Sequence, residues 1–146
     1  MFTKQIDDWT SESWTSRLRS EAGHPRFQGL ERDFSDFTYV DASGQMRALL
    51  SDVGIEPHAA WSNATKFHLE VKSTLGSCAE PIFVSQNQVD KMREFHGTAK
   101  DAYILLRVFN VEDSKNVGIK FFDDPWSLYM DNVLKFRSDQ GYKVYQ

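Results

Sequence analysis

Apolar and polar residues alternate one by one through Phe67-His68-Leu69-Glu70-Val71-Lys72, the period of a strand with one face buried. Phe67, Leu69 and Val71 are expected to face the core, and His68, Glu70 and Lys72 to share the opposite face. Upstream, residues 11 to 22 predict a helix with Ser11 or Ser13 as its cap and Trp14 and Leu18 on one side. Gly23 and then His24-Pro25 supply its stop. A strand is predicted from Phe34 to Val40, with Phe37 and Tyr39 on one face and Asp36, Thr38 and Val40 on the other. Asp41-Ala42-Ser43-Gly44 is turn chemistry. Met46, Leu49, Leu50 and Val53 fall at helical spacing before Gly54.

Glu56 to Lys66 carries no periodic pattern and reads as a loop anchored by Trp61. The strand at 67 to 73 follows, then a polar excursion through Gly76 and Cys78, and a short strand at Pro81-Ile82-Phe83-Val84. Ser85 opens a helix carrying Val89, Met92 and Phe95 and closed by Gly97. Tyr103 to Phe109 is almost unbroken apolar sequence, as expected of a central strand buried on both faces. Val117 to Phe122 predicts another strand, and Asp123-Asp124-Pro125 turns into a short helical stretch around Trp126. Val133 to Phe136 and Tyr142 to Tyr145 read as closing edge strands. The sum is a mixed central sheet flanked by helices, of α/β or α+β class.

Length fits one domain over residues 1–146, large enough for a core. Eleven Phe, five Tyr and four Trp suggest that the core is built on large rings. No apolar run approaches the roughly 20 residues that span a bilayer, so no membrane partner is expected. The opening Met1-Phe2-Thr3-Lys4-Gln5-Ile6-Asp7-Asp8 lacks the basic and apolar blocks of a signal peptide. Cys78 is the single cysteine, which excludes an intrachain disulfide and favours a reducing, intracellular setting, cytoplasm or nucleus. The formal charge of −4 argues mildly against gripping nucleic acid by bulk electrostatics, although local basic patches remain compatible with it.

Glu70 and Lys72 carry the candidate chemistry. A carboxylate and an ammonium side by side on a rigid strand can hold a divalent cation and polarise water. They can equally form a solvated ion pair contributing roughly 0–1 kcal/mol. Ser85 followed three residues later by Gln88 fits a capping box at a helix start. His68 is expected to be a hydrogen-bonded structural histidine and Cys78 to be inert, with no base beside it. The four Trp are expected to anchor core and loops, and Arg17, Arg19, Arg26 and Arg32 to be solvated.

Ser35-Asp36-Phe37-Thr38-Tyr39, then Phe67-His68-Leu69-Glu70-Val71-Lys72-Ser73-Thr74, Phe83-Val84-Ser85-Gln86-Asn87-Gln88 and Tyr103-Ile104-Leu105-Leu106-Arg107-Val108-Phe109-Asn110 occur in that order. This succession resembles the protein NO VEIN C-terminal domain family, a family of unknown function placed within the PD-(D/E)XK restriction-endonuclease-like fold. The resemblance covers roughly residues 30 to 110. Trp14-Thr15-Ser16-Arg17-Leu18-Arg19 with Ala22-Gly23 looks like its fungal branch. The resemblance implies that Asp36 and Glu70 bind Mg2+ or Mn2+, with the backbone carbonyl of Val71 completing the shell. Lys72 would stand near the attacking water and Gln88 would orient that water or Lys72. Asp33 and Asp41 compete with Asp36, whose expected place inside a strand favours it.

The Gly-Glu pair that usually opens such domains has no counterpart, since Glu12, Glu21 and Glu31 lack its setting. That departure implies a shortened or partial copy without the family's first helix. Three functions follow as expectations: a metal-dependent hydrolase of DNA or RNA, a non-catalytic interaction or regulatory module, and a nucleic-acid binder that does not cut. The second fits the family's frequent position at the end of very large proteins bearing an ATPase region, where the partner is a protein or the parent chain.

Overall fold

The computed structural model describes residues 6–30, 34–138 and 142–146, and its class is mixed α+β. The chain forms two compact units, Met1–His68 with Thr98–Ala102, and Leu69–Gly97 with Tyr103–Gln146. Among the described residues no helix is long and apolar enough to cross a membrane.

In the first unit the expected helix over 11 to 22 is replaced by a 3-10 turn at Ser11–Ser13 and one short helix, α1 (Leu18–Glu21). The intervening Thr15 turns its backbone N–H to the carbonyl of Asp36 (2.9 Å) and its hydroxyl to that of Ser35 (2.7 Å). Ser16 Oγ accepts the N–H of Leu18, the local competition by which Ser and Thr interrupt helices. Trp14 consequently makes an antiparallel bridge to Phe37 and stacks on its ring. Leu18, expected on one helix side with Trp14, is 53% exposed. Arg19, expected in solvent, is 4% exposed and donates to the carbonyls of Ser11, Trp14, Pro25 and Arg26.

Strand β1 (Phe37–Val40) begins three residues later than expected, because residues 34–36 are occupied by bends and by the bonds to Thr15. Asp41 then caps α2 (Gln45–Asp52), accepting the N–H of Met46 at 2.9 Å and Arg47 Nε at 2.8 Å. Trp61 anchors the following loop edge-on against Phe67, as the sequence suggested.

Strand β2 (Lys66–Ser73) and strand β4 (Asp101–Phe109) contribute residues to both units. The Lys66 N–H donates to the Lys100 carbonyl near their starts, and the Thr74 N–H to the Val108 carbonyl near their ends. The two strands therefore run parallel. With β5 (Gly118–Asp123) they give a four-stranded sheet of order β1-β2-β4-β5, in which β4 and β5 are antiparallel.

The second unit adds β3 (Ile82–Val84), α3 (Gln86–Phe95), α4 (Pro125–Met130), β6 (Lys135–Ser138) and β7 (Tyr142–Tyr145). The last two strands do not close the first sheet. They form a separate sheet of order β3-β7-β6, and β7 is its middle strand, with Val144 opposite both Ile82 and Phe136. Ile82, Val84, Val89, Met92, Tyr103, Leu105, Phe122, Leu134 and Val144 fill one core. His96, at the end of α3, meets Asp124, the cap of α4, at 2.8 Å.

Candidate functional site

The face of β2 expected to carry His68, Glu70 and Lys72 is covered at His68 and Glu70 and half-open at Lys72. His68 and Glu70 are both buried, His68 against Asp101 and Glu70 beneath Gln88 of α3. His68 Nε2 meets Asp101 Oδ1 at 2.8 Å, the hydrogen-bonded structural role expected of it. Two positions along, Lys72 Nζ lies 3.1 Å from Glu70 Oε1, with 8% of the Glu70 side chain and 23% of the Lys72 side chain exposed. A solvated surface pair is thereby excluded.

Gln88 completes the cluster from the first turn of α3. Its amide nitrogen donates to Glu70 Oε1, and its Oε1 accepts Lys72 Nζ at 3.2 Å. The same Oε1 accepts the Ser85 N–H at 3.0 Å, while Ser85 Oγ accepts the Gln88 N–H at 3.2 Å. The capping box is therefore present, and the residue that forms it also clamps the acid and the ammonium. Helix start and side-chain cluster are one construction. Val71 lies between Glu70 and Lys72 on β2, with its side chain half-buried.

Asp36 belongs to the first unit and sits one residue before β1 instead of inside it. Asp41 is fully buried, committed to the N-terminus of α2 and to Arg47. Asp33 lies outside the described residues, as do Glu31 and Arg32. Glu12 pairs with Arg19. Cys78 is half-buried beside the Gln146 amide, which donates to its carbonyl.

Among the described residues, no three or more His, Cys, Asp or Glu side chains gather as a ready metal cage. Mg2+ is nevertheless commonly held by one or two carboxylates completed by water and substrate phosphate. Glu70 offers such a carboxylate, with one oxygen already shared by an ammonium and an amide.

Hydrogen bonds from the Asn116 side chain and the Lys115 N–H lower the pKa of Asp113. Burial, then the neighbouring Asp124 charge, raises the pKa of Asp123. Burial and the hydrogen bond to Asp8 push the Tyr39 phenol up to about 12. Arg107 escaped the sequence reading as a functional candidate. It is 98% buried on β4, and its only sequence signal was a lone cation inside an apolar run.

In class, then, this is a mixed α+β chain with a buried acid–ammonium–amide cluster on an interior strand. The family model described as protein NO VEIN, C-terminal, matches residues 33–121, and the chain belongs to that family. No curated protein matches the chain, and no solved structure does.

Proposed function

We propose that the chain is a nuclease-like domain of PD-(D/E)XK type that hydrolyses phosphodiester bonds of intracellular nucleic acid with Mg2+ or Mn2+. The supporting observation is the Glu70 carboxylate held almost out of water by Lys72 and Gln88 at Glu-x-Lys spacing. Burial there raises the strength of each charge–charge contact relative to bulk water. Glu70 and the Val71 carbonyl would hold the cation. When bound, the cation supplies Lewis acidity toward the phosphate. Lys72 places a positive charge where negative charge grows on the phosphoryl oxygens. Gln88 is a positioning residue, fixing the Lys72 ammonium and the Glu70 carboxylate through opposite ends of one amide.

A second reading has its own support. Lys72 and Gln88 both occupy Glu70 Oε1, so the cluster is internally satisfied, as in a nuclease-like fold retained for interaction or regulation. Cleavage of plasmid and single-stranded substrates with Mg2+ or Mn2+ separates the two. The hydrolase reading expects cutting by wild type and losses of at least about 100-fold in Glu70→Ala and Lys72→Ala. Cutting that Glu70→Ala and Lys72→Ala both retain removes the assignment. A folded wild type that neither cuts nor takes up Mn2+ in calorimetry establishes the non-catalytic module.

A further inference from the structure

Arg107 is 2% exposed, and its Nε has no hydrogen-bond partner among the described residues. Its Nη2 donates to the Glu80 carbonyl at 3.3 Å. A buried charged donor left unmatched is costly, and a guanidinium is shaped to meet a phosphate or carboxylate through adjacent N–H groups.

Its neighbours are also cations. Arg107 stands directly opposite Lys120 on β5. On its other side, the backbone bonds Lys66 to Lys100 and Thr74 to Val108 set a register that places Lys72 of β2 beside Arg107. Residues opposite one another in paired strands project to the same face. Three adjacent strands thus each contribute one cation to a single row. The row is graded, from buried Arg107 and half-buried Lys72 to exposed Lys120. Glu70 neutralises Lys72, whereas Lys120 meets the neutral side-chain amide oxygen Oε1 of Gln146 and the Phe122 ring. The Glu80 carboxylate is turned to the Thr74 hydroxyl. Like charges placed opposite each other destabilise a sheet unless an anion joins them.

We infer that Lys72, Arg107 and Lys120 form a seat for the phosphates of a single nucleic-acid strand, with Arg107 adding its positive charge from beneath the row and Lys120 at the open end. This deepens the hydrolase reading and rests on it for the identity of the anion, since the seat begins at the Lys72 of the Glu70 cluster.

Anisotropy of a short labelled single strand, measured in EDTA across a salt series, tests the seat without cutting. Wild type is expected to bind with an affinity that falls steeply with salt. Lys120→Ala should reduce the logarithmic salt slope by about 0.7, one single-strand phosphate contact. Arg107→Gln should weaken binding about tenfold at fixed salt, beyond any change in melting temperature. If Arg107→Gln does not fold by circular dichroism, Lys120→Ala and Lys120→Glu carry the test through the salt slope. Both variants binding with wild-type affinity and slope would overturn the seat and leave Arg107 a structural residue. So would complete displacement of the strand by millimolar inorganic phosphate, which points to a site for isolated phosphate. Strand binding by this row without cleavage in Mn2+ sinks the hydrolase reading alone, and cleavage with unaltered variants sinks the seat alone.

Discussion

Glu70 Oε1 receives two donors in a nearly dry setting, so removing one donor strands a carboxylate that water cannot fully rescue. Lys72→Met is expected to cost about 1–3 kcal/mol by urea unfolding. Glu70→Gln should cost less, because the Lys72 ammonium retains partial access to solvent. The double variant should be more stable than the two losses added together by about 1 kcal/mol or more. Additivity within about 0.3 kcal/mol would mean that the pair behaves as if solvated. Asp123 has the opposite sign. Its pKa is raised by burial first and by the Asp124 charge besides, so the folded chain holds the proton more tightly than the unfolded one. Stability therefore falls as pH rises from its ordinary value of 3.8 through the raised one. Asp123→Asn should melt higher than wild type at neutral pH, and the gap should close below pH 3.8. A gap independent of pH would assign the effect to packing. Glu70, Lys72 and their shared face were legible in the alternation of Phe67 to Lys72. Their burial was not, because strand neighbours and the Gln88 cover come from residues far along the chain.

The elements that were read well are those whose determinants lie within one turn or one loop. Ser85 and Gln88 announced the start of α3, and Trp61 the anchored loop before β2. The stretch from 11 to 22 failed because Thr15 and Ser16 spend their bonds on the 35–36 segment and on Leu18, partners that helical periodicity does not reveal. Strand β7 was recognised by its alternation, yet its place in the middle of a second sheet depends on pairing with β3, about 60 residues earlier in the sequence. Start of helix and cluster coincide in α3, and this makes them separable by substitution. Ser85→Ala removes one cap and should cost about 1 kcal/mol. Gln88→Ala removes the reciprocal half of the box together with the contacts to Glu70 and Lys72, and should cost more. Equal losses in thermal unfolding of the two variants would show that the amide does no more than cap the helix.

At the scale of the whole chain, the family match ends at residue 121, inside β5. The core of the second unit does not end there. Phe122, Leu134 and Val144 are among its buried members, and Trp126, Leu128 and Phe136 pack against it. Strand β3, inside the matched region, draws its backbone partner from β7, outside it. An unpaired β3 would expose its N–H and C=O groups beside an opened apolar surface, and buried Val84 would lose its cover. Deletion of each large buried side chain from such a core costs about 2–5 kcal/mol, while a domain's entire stability is about 5–15 kcal/mol. Losing Phe122, Leu134 and Val144 together therefore exhausts the stability of the unit. A chain cut after Phe121 is expected to lack a cooperative calorimetric transition and to bind a hydrophobic dye, where the full chain melts cooperatively and does not. A truncated chain that still melted cooperatively would show that residues beyond the family match are an appendage, and that the Glu70 cluster needs neither β7 nor its sheet.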